Sequence, residues 1–496
     1  MVSLIVLLPL VAAVVLAMLR GLPDSVARWA WLVVTLVDLA LLLVVTAGAG
    51  AAVPGRPAFE ERLEWMPGVG TSYHVGVDGL SLPLLLLTDV VFAACAVWAL
   101  REGRRPRQLA ALFLFLQTTC LGVFAAQDLL LFFVFFDLSI VGMYFVIVGW
   151  GHGNARRSAL KFFLYTFLGS LALLLGFIGL YLGAEPHTFD MVELGRRGAF
   201  TGSASAGGLV LVALLIGFAI KTPTFPFHTW LPPAHTDAPA VGSAVLAGVM
   251  LKMGTYGFVR IAMPMLPSAW RDWAWLVLTI GIISVLYGAL VALAQTDVKR
   301  MIAYTSLNHM GYVVVAVGAA GLAGADAQQA QQIAVVGAVV QMVSHGLITG
   351  ALFLLAGVLY DRREDYGIDS YGGLAAPAPR FTALFAVGVF ASLGLPAFSG
   401  FIAEFQIFAG GIGSAPVSLI ALPGIVLTAA LLLQAFQRLF TGPTRGLAVD
   451  FPDLRPSELL AVAPLLGLSL VIGVVPGPLL ALVQPAATQV VRILGG

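Results

Sequence analysis

Read for its apolar and polar positions, the chain is a succession of hydrophobic runs, at residues 2–19, 29–47, 79–100, 108–126, 129–149, 159–183, 208–231, 240–264, 273–294, 301–320, 332–359, 381–409, 416–440 and 457–486. A helix needs about 20 apolar residues to cross a bilayer. The pattern therefore predicts an all-α polytopic membrane protein with about fourteen transmembrane helices. The longest connections, 48–77 and 184–207, are too short to build a core of their own, so residues 1–496 read as a single membrane domain. The first run has no basic stretch before it and no clear cleavage site after it, and reads as a membrane helix rather than a signal peptide.

Two runs are interrupted. Residues 208–220 are apolar but too few to span, and they meet Lys221, Pro223 and Pro226, where the helix should break. Apolar character resumes over 225–231, so the two pieces span together if the joint lines a polar cavity. In 381–409, the sequence SLGLPAFSGFIAEF places Pro396, Gly400 and then Glu404 after the first apolar piece. The interrupted runs are five apart, and units displaced by an odd number of spans have opposite membrane orientations. That is the layout of inverted repeats, and it predicts two five-helix units, 108–264 and 273–440, each with one broken helix.

Ionisable residues inside apolar runs are the next signal, because each costs about 2.5–3.5 kcal/mol to insert and usually faces a bundle interior or a water-filled path. Of 22 arginines and 4 lysines, three lysines, Lys161, Lys221 and Lys252, fall within apolar runs. An ammonium releases its proton when desolvated and a guanidinium does not, so the choice of lysine points to proton handling. Lys252 lies roughly 18 Å along its helix from residue 240, near the membrane centre. Asp137, in LFFVFFDLSIVGMYF, is roughly 12 Å into its run, and Lys221 is the residue best placed to offset it, either as a working pair or as a static one. His309 in YTSLNHMGYVVV and His345 in QMVSHGLITGALF stand in consecutive runs beside Ser306 and Ser344, and two imidazoles there suit a proton relay. Glu404 ends the series. His228 and His235 fall in a short polar turn, where they either guard an access point or shape the loop.

Composition narrows the function further. The chain is 60% hydrophobic and 10% charged with a mean hydropathy of +0.98, which excludes a soluble globule. A net charge of +1 offers no basic surface for nucleic acid, and no metal-ligand spacing or phosphate-binding glycine loop is present. Cys95 and Cys120 sit in apolar runs and read as small core residues. Basic residues divide 16 to 7 between the two sets of loops, the larger group including Arg20 and Lys299 and the smaller Arg56; this places both termini outside the cytoplasm.

The run KTPTFPFHTWLPPAHTDAPAVGSAVLAGVMLKMGTYGFVR, preceded by GVDGLSLPLLLLT and followed by TDVKRMIAYTSLNHMGYV, resembles the antiporter-like subunit M family of proton-pumping NADH:quinone oxidoreductase, respiratory complex I. The similarity extends over about residues 75–440. It implies a fourteen-helix subunit with inverted repeats and a hydrated mid-membrane axis in the bacterial plasma membrane, moving protons without a cofactor of its own. NADH, flavin, iron–sulfur clusters and quinone would belong to partner subunits, and its neighbours would be other membrane and peripheral subunits, including further antiporter-like ones. The family's proton-translocating residues fall here on Asp137, Lys221, Lys252, His309, His345 and Glu404. Two departures weaken the pattern: Asp137 stands where the family has glutamate, and LPPAHTDAP carries Pro233 and Asp237 in place of aspartate and glutamate. The competing readings are a subunit of a multisubunit sodium/proton antiporter or membrane-bound hydrogenase, and a purely structural scaffold. FPFHTWLP and HTDAP favour the first family over the second, and the buried charges argue against a scaffold.

Overall fold

A computed structural model of the chain describes residues 1–19, 21–49, 57–197, 200 and 204–495. Arg20 and Arg56, used above to orient the chain, lie outside them. The N-terminal helices are α1 (Val2–Met18), α2 (Asp24–Ala49) and, after the hairpin β1 (Ala58–Met66) and β2 (Thr71–Val77), α3 (Leu82–Trp98). Then come α4 (Pro106–Ala125), α5 (Leu129–Trp150), α6 (Ala155–Leu182), the short α7 (Met191–Arg197), α8 (Ala204–Lys221) and α9 (Leu231–Asp237). The next crossing, Ala240–Met265, is α10 (Ala240–Val245), α11 (Lys252–Gly257) and α12 (Met263–Met265), joined by π-helical turns at Leu246–Met250 and Phe258–Ala262. After it follow α13 (Pro267–Leu293), α14 (Val298–Leu322), α15 (Gln328–Arg363), α16 (Pro379–Ser392), α17 (Ser399–Ser414), α18 (Pro423–Phe440), α19 (Pro456–Val474) and α20 (Gly477–Gly495). The two-residue strands β3 (Tyr371–Gly372) and β4 (Arg445–Gly446) pair between loops.

Eleven of these helical segments are long and apolar enough to cross a membrane. The crossings follow the apolar runs in order, with one departure at the end. The run 457–486 was expected as one helix, but the chain turns at Val475 and Pro476, and α20 is a second helix. Val483, Ala487, Val490, Val491 and Leu494 form its one buried stripe, while Gln484 and Arg492 face outward. Such one-sided burial is that of a helix lying along a surface.

α15, buried on every side, is enclosed by α3, α10, α14, α16, α17, α19 and α20. α6 instead turns Leu164, Leu168 and Leu175 outward, as a face meeting lipid or another membrane helix requires. Lys161, expected inside the apolar run of α6, is exposed; its ammonium reaches the Thr229 carbonyl at 2.6 Å, so its stem runs along apolar surface while its head sits at the rim.

The two ends of the bundle differ. On one, the N-terminal ammonium pairs with Glu61 of β1, and α20 packs against the Gly79 turn that follows β2. Both termini therefore share a face with the hairpin. Asp128, which caps α5 through the Leu130 and Leu131 amides, also accepts from Thr71 and fastens the hairpin to the bundle. On the other face lie the Arg105–Trp150 stack, the His152 turn and the buried Arg362–Glu458 pair.

Candidate functional site

The first break forms as the sequence dictates. α8 stops at Lys221 because Pro223 and Pro226 cannot continue it, and its freed backbone groups find partners: the Trp230 indole donates to the Ile220 carbonyl at 3.0 Å, and the Phe225 amide donates to Ser284 Oγ at 2.9 Å. Helical structure resumes at Leu231, six residues later than the apolar pattern suggested. Lys221 is held at the broken end, buried, donating to Ser139 Oγ at 3.2 Å with its ammonium 4.6 Å from the Phe136 ring centroid.

The expected contact between Asp137 and Lys221 is not made. No ion pair within 4.0 Å joins them among the described residues; Asp137 is half-buried, one of its oxygens lacks a partner, and it turns toward Ser170 on α6. The reason is helical rotation. Phe136 and Ser139, three apart, share the face of α5 that meets Lys221, whereas Asp137 lies about 100° from Phe136, beside the outward-facing Leu138. An aspartate side chain is also too short to reach round the helix.

The second group is continuous. Across the first π-turn the Leu251 amide bonds the Leu246 carbonyl at 3.2 Å, and the Ala247 carbonyl instead accepts from the Lys252 ammonium. The same ammonium lies 2.7 Å from His345 Nδ1 on α15. His345 Nε2 has no partner, and its ring centroid is 5.6 Å from that of His309 on α14. His309 Nε2 donates to the Ser392 carbonyl, at 3.1 Å, and is 3.9 Å from Glu404 Oε1 on α17. Between the two imidazoles and Glu404 is a cavity of about 10 Å³, lined also by Gln341, Ser344 and Thr349, which is room for about one water among groups that can bond it.

Glu404 has its place because α16 ends at Ser392 and α17 starts at Ser399, leaving the joint where Gly394 takes φ +77°. A Cβ at Gly394 would stand 2.5 Å from Glu404 Oε2, so both the backbone angle and the space require glycine. The two groups also meet. A Cβ at Gly254 would stand 2.4 Å from Thr222 Oγ1, so α11 crosses the α8 break in direct contact, and Ser139 Oγ is 3.6 Å from Met253 Sδ, next to Lys252. Lys252, His309, His345 and Glu404 are thus brought together, Lys221 adjoins them through Ser139, and Asp137 stands apart.

Three further polar residues belong to this region. Lys299, counted above as a loop charge, is fully buried; it donates to the Ala238 carbonyl at 2.5 Å and to the Tyr366 hydroxyl at 3.3 Å. His235, expected in a short polar turn, stands in α9 and is buried, stacked on Phe353 with centroids 4.4 Å apart, and both ring nitrogens lack partners. Gln341 lines the cavity, four residues before His345 and hence on the same helix face, a spacing visible in the sequence. Among the described residues no cluster of three or more His, Cys, Asp or Glu could hold a metal ion, and both cysteines are buried free thiols.

Residues 126–431 match the family model described as NADH:quinone oxidoreductase/Mrp antiporter, TM. The chain is 38% identical to the NADH-quinone oxidoreductase subunit M of Rickettsia prowazekii, over 85% of this chain and 84% of that protein. It is 36% identical to the NAD(P)H-quinone oxidoreductase chain 4 of Gloeobacter violaceus, over 99% and 92%. Among solved structures, a chain of respiratory complex I from Thermus thermophilus with bound NADH superposes with a TM-score of 0.89 at 31% identity, covering all of both chains. A chain of the Mrp complex from Dietzia matches with a TM-score of 0.83 at 21% identity, over 98% of this chain and 52% of that one, a likeness of fold. The chain thus belongs to the family of NADH:quinone oxidoreductase/Mrp antiporter transmembrane subunits.

Proposed function

We propose that this chain translocates protons as a multi-pass membrane subunit of an NADH:quinone oxidoreductase in the bacterial plasma membrane, driven by redox chemistry in partner subunits that carry NADH, flavin, iron–sulfur clusters and quinone. The observation that carries the reading is the contiguous group Lys252–His345–His309–Glu404, four ionisable side chains buried in the bundle with a water-sized cavity among them. Lys221 stands nearby, bonded to Ser139, which touches Met253 next to Lys252. A proton moves along such a row by exchange between neighbouring acids and bases, with no group travelling far. Asp137 acts on Lys221 through space rather than by contact. Units 108–264 and 273–440 are the two inverted halves, and the breaks after Lys221 and Ser392 support that division. The chain has no catalytic activity alone.

Lys252 provides the test. Arginine at this position keeps the charge without releasing a proton, and methionine keeps much of the bulk with neither property. Lys252→Arg and Lys252→Met are both expected to abolish most NADH-driven proton uptake in vesicles holding the assembled complex, with subunit content unchanged. Near-normal pumping by the arginine variant would make Lys252 a fixed charge and overturn the relay.

A further inference from the structure

Outside both five-helix units, where α2, α3 and α4 pack together, two carboxyls are buried side by side. Asp38 on α2 and Asp89 on α3 have no solvent-exposed surface. Both accept from one donor: Gln117 Nε2 on α4 lies 2.8 Å from Asp89 Oδ1 and 3.3 Å from Asp38 Oδ2. The amide is oriented by Thr35, whose hydroxyl donates to Gln117 Oε1 at 2.9 Å, so its nitrogen, with two hydrogens, faces the acids. The two acceptor oxygens cannot be farther apart than the two bonds laid end to end, about 6 Å.

Nothing nearby neutralises them. Among the described residues neither acid is within 4.0 Å of a lysine, arginine or histidine nitrogen. α5 and α11, packed against α4, bring Asp137 and Lys252, and Lys221 lies near Cys120; Lys252 is bonded to His345 and the Ala247 carbonyl and Lys221 to Ser139, and neither contacts the pair. α1 has no ionisable side chain, α2 has only Asp24 and Arg28 near its start, α3 has Cys95, and α4 has Arg107 in its first turn and Cys120. α15 and α19, on the far side of α3, carry His345, already bonded to Lys252, and Glu458, already bonded to Arg362. The second oxygen of each acid, Asp38 Oδ1 and Asp89 Oδ2, is buried without any partner. Two adjacent carboxylates with no counter-cation cannot both stay ionised in an apolar interior, and an unpartnered buried carboxyl oxygen is where a proton is held.

We propose that Asp38 and Asp89 form a proton-binding site that holds at least one proton at neutral pH, with the Gln117 amide as its bridge. Cys120, one turn along α4 from Gln117, interacts with Lys221, so the site stands close to the α8 break. Its ligand is the proton itself: one exchangeable amide and two carboxyls offer too few oxygens to enclose a metal cation.

Infrared difference spectra of the assembled complex in membranes test this, comparing wild type with Asp38→Asn, Asp89→Asn and the double variant. Asparagine is close in shape to aspartate and keeps an acceptor for the Gln117 amide. The expected result is a protonated-carboxyl carbonyl band at neutral pH that shifts in heavy water, is perturbed in at least one single variant and is absent from the double variant. If the double variant fails to assemble, the single variants carry the test. Loss of carboxylate bands alone, with the protonated-carboxyl region unchanged in every variant that assembles, would overturn the proposal.

Discussion

Single residues divide by how they announce themselves. Lys252, His309, His345 and Glu404 were legible because each interrupts a run of apolar side chains, where an ionisable group is too costly to be incidental. Position along a run does not give the direction a side chain faces, and that is why the Asp137–Lys221 contact failed: a rotation of about 100° on α5 turns the acid away from the lysine. Lys299 was misread for the opposite reason. It stands at the second residue of α14 beside Arg300, like a loop charge, yet backbone carbonyls from the α9–α10 joint enclose it. The geometry at Asp137 makes a prediction. Asp137→Glu adds one methylene and extends the reach toward Lys221, so it should pump at least as well as the natural protein, whereas Asp137→Asn removes the charge that acts through space and should lose most of the pumping. Proton uptake per NADH in vesicles with matched subunit content measures both; full activity in the asparagine variant would mean the carboxylate charge is dispensable.

At the scale of elements, prolines and short apolar runs located both breaks, while the packing that makes them useful came from glycines that sequence alone leaves ambiguous. Gly254 is one. With a Cβ there 2.4 Å from Thr222 Oγ1 and 2.7 Å from the Phe218 carbonyl, Gly254→Ala has to push α11 off the α8 break. Overpacking of this kind costs about 1–3 kcal/mol, so this variant should inactivate faster than wild type on warming in detergent and should pump less, because Lys221 and Lys252 are displaced relative to one another. The hairpin is a second element whose anchorage was not legible. His74 on β2 joins Asp190 at 2.7 Å and Glu60 at 2.8 Å, clasping the hairpin to the segment before α7. Burial by itself raises the Asp190 carboxyl, but the His74 ring, the Glu193 amide and the Arg62 charge outweigh it and hold it below the usual carboxylate range. A carboxyl lowered by folding stabilises the fold above its unfolded value, about 3.9, and that contribution is lost as pH falls through the lower folded value. Amide-exchange protection of β2 should therefore hold from neutral pH to about 4 and fall below it, and Asp190→Asn should show weaker protection at neutral pH with a flatter acid limb. Identical acid profiles for the two proteins would remove Asp190 from the clasp.

For the whole molecule, the strongest asymmetry is between its two ends. One holds both termini, the hairpin and α20; the other holds the Arg105–Trp150 stack, Arg362, Arg363 and Arg438. The 16-to-7 sorting of loop charges includes Arg20 and Arg56, which lie outside the described residues; setting these two and the buried Lys299 aside leaves the bias intact. Positive charge stays on the cytoplasmic side because its translocation is disfavoured, so the hairpin face is expected outside and the arginine face inside. Exposed positions on each face make this measurable: Glu64 on β1 and Arg104 before α4. Cys95 and Cys120 are fully buried and should not react with a bulky, membrane-impermeant maleimide, so the background needs no alteration. Glu64→Cys should label in intact spheroplasts, and Arg104→Cys only in inverted vesicles. The reverse pattern would turn the protein over in the membrane.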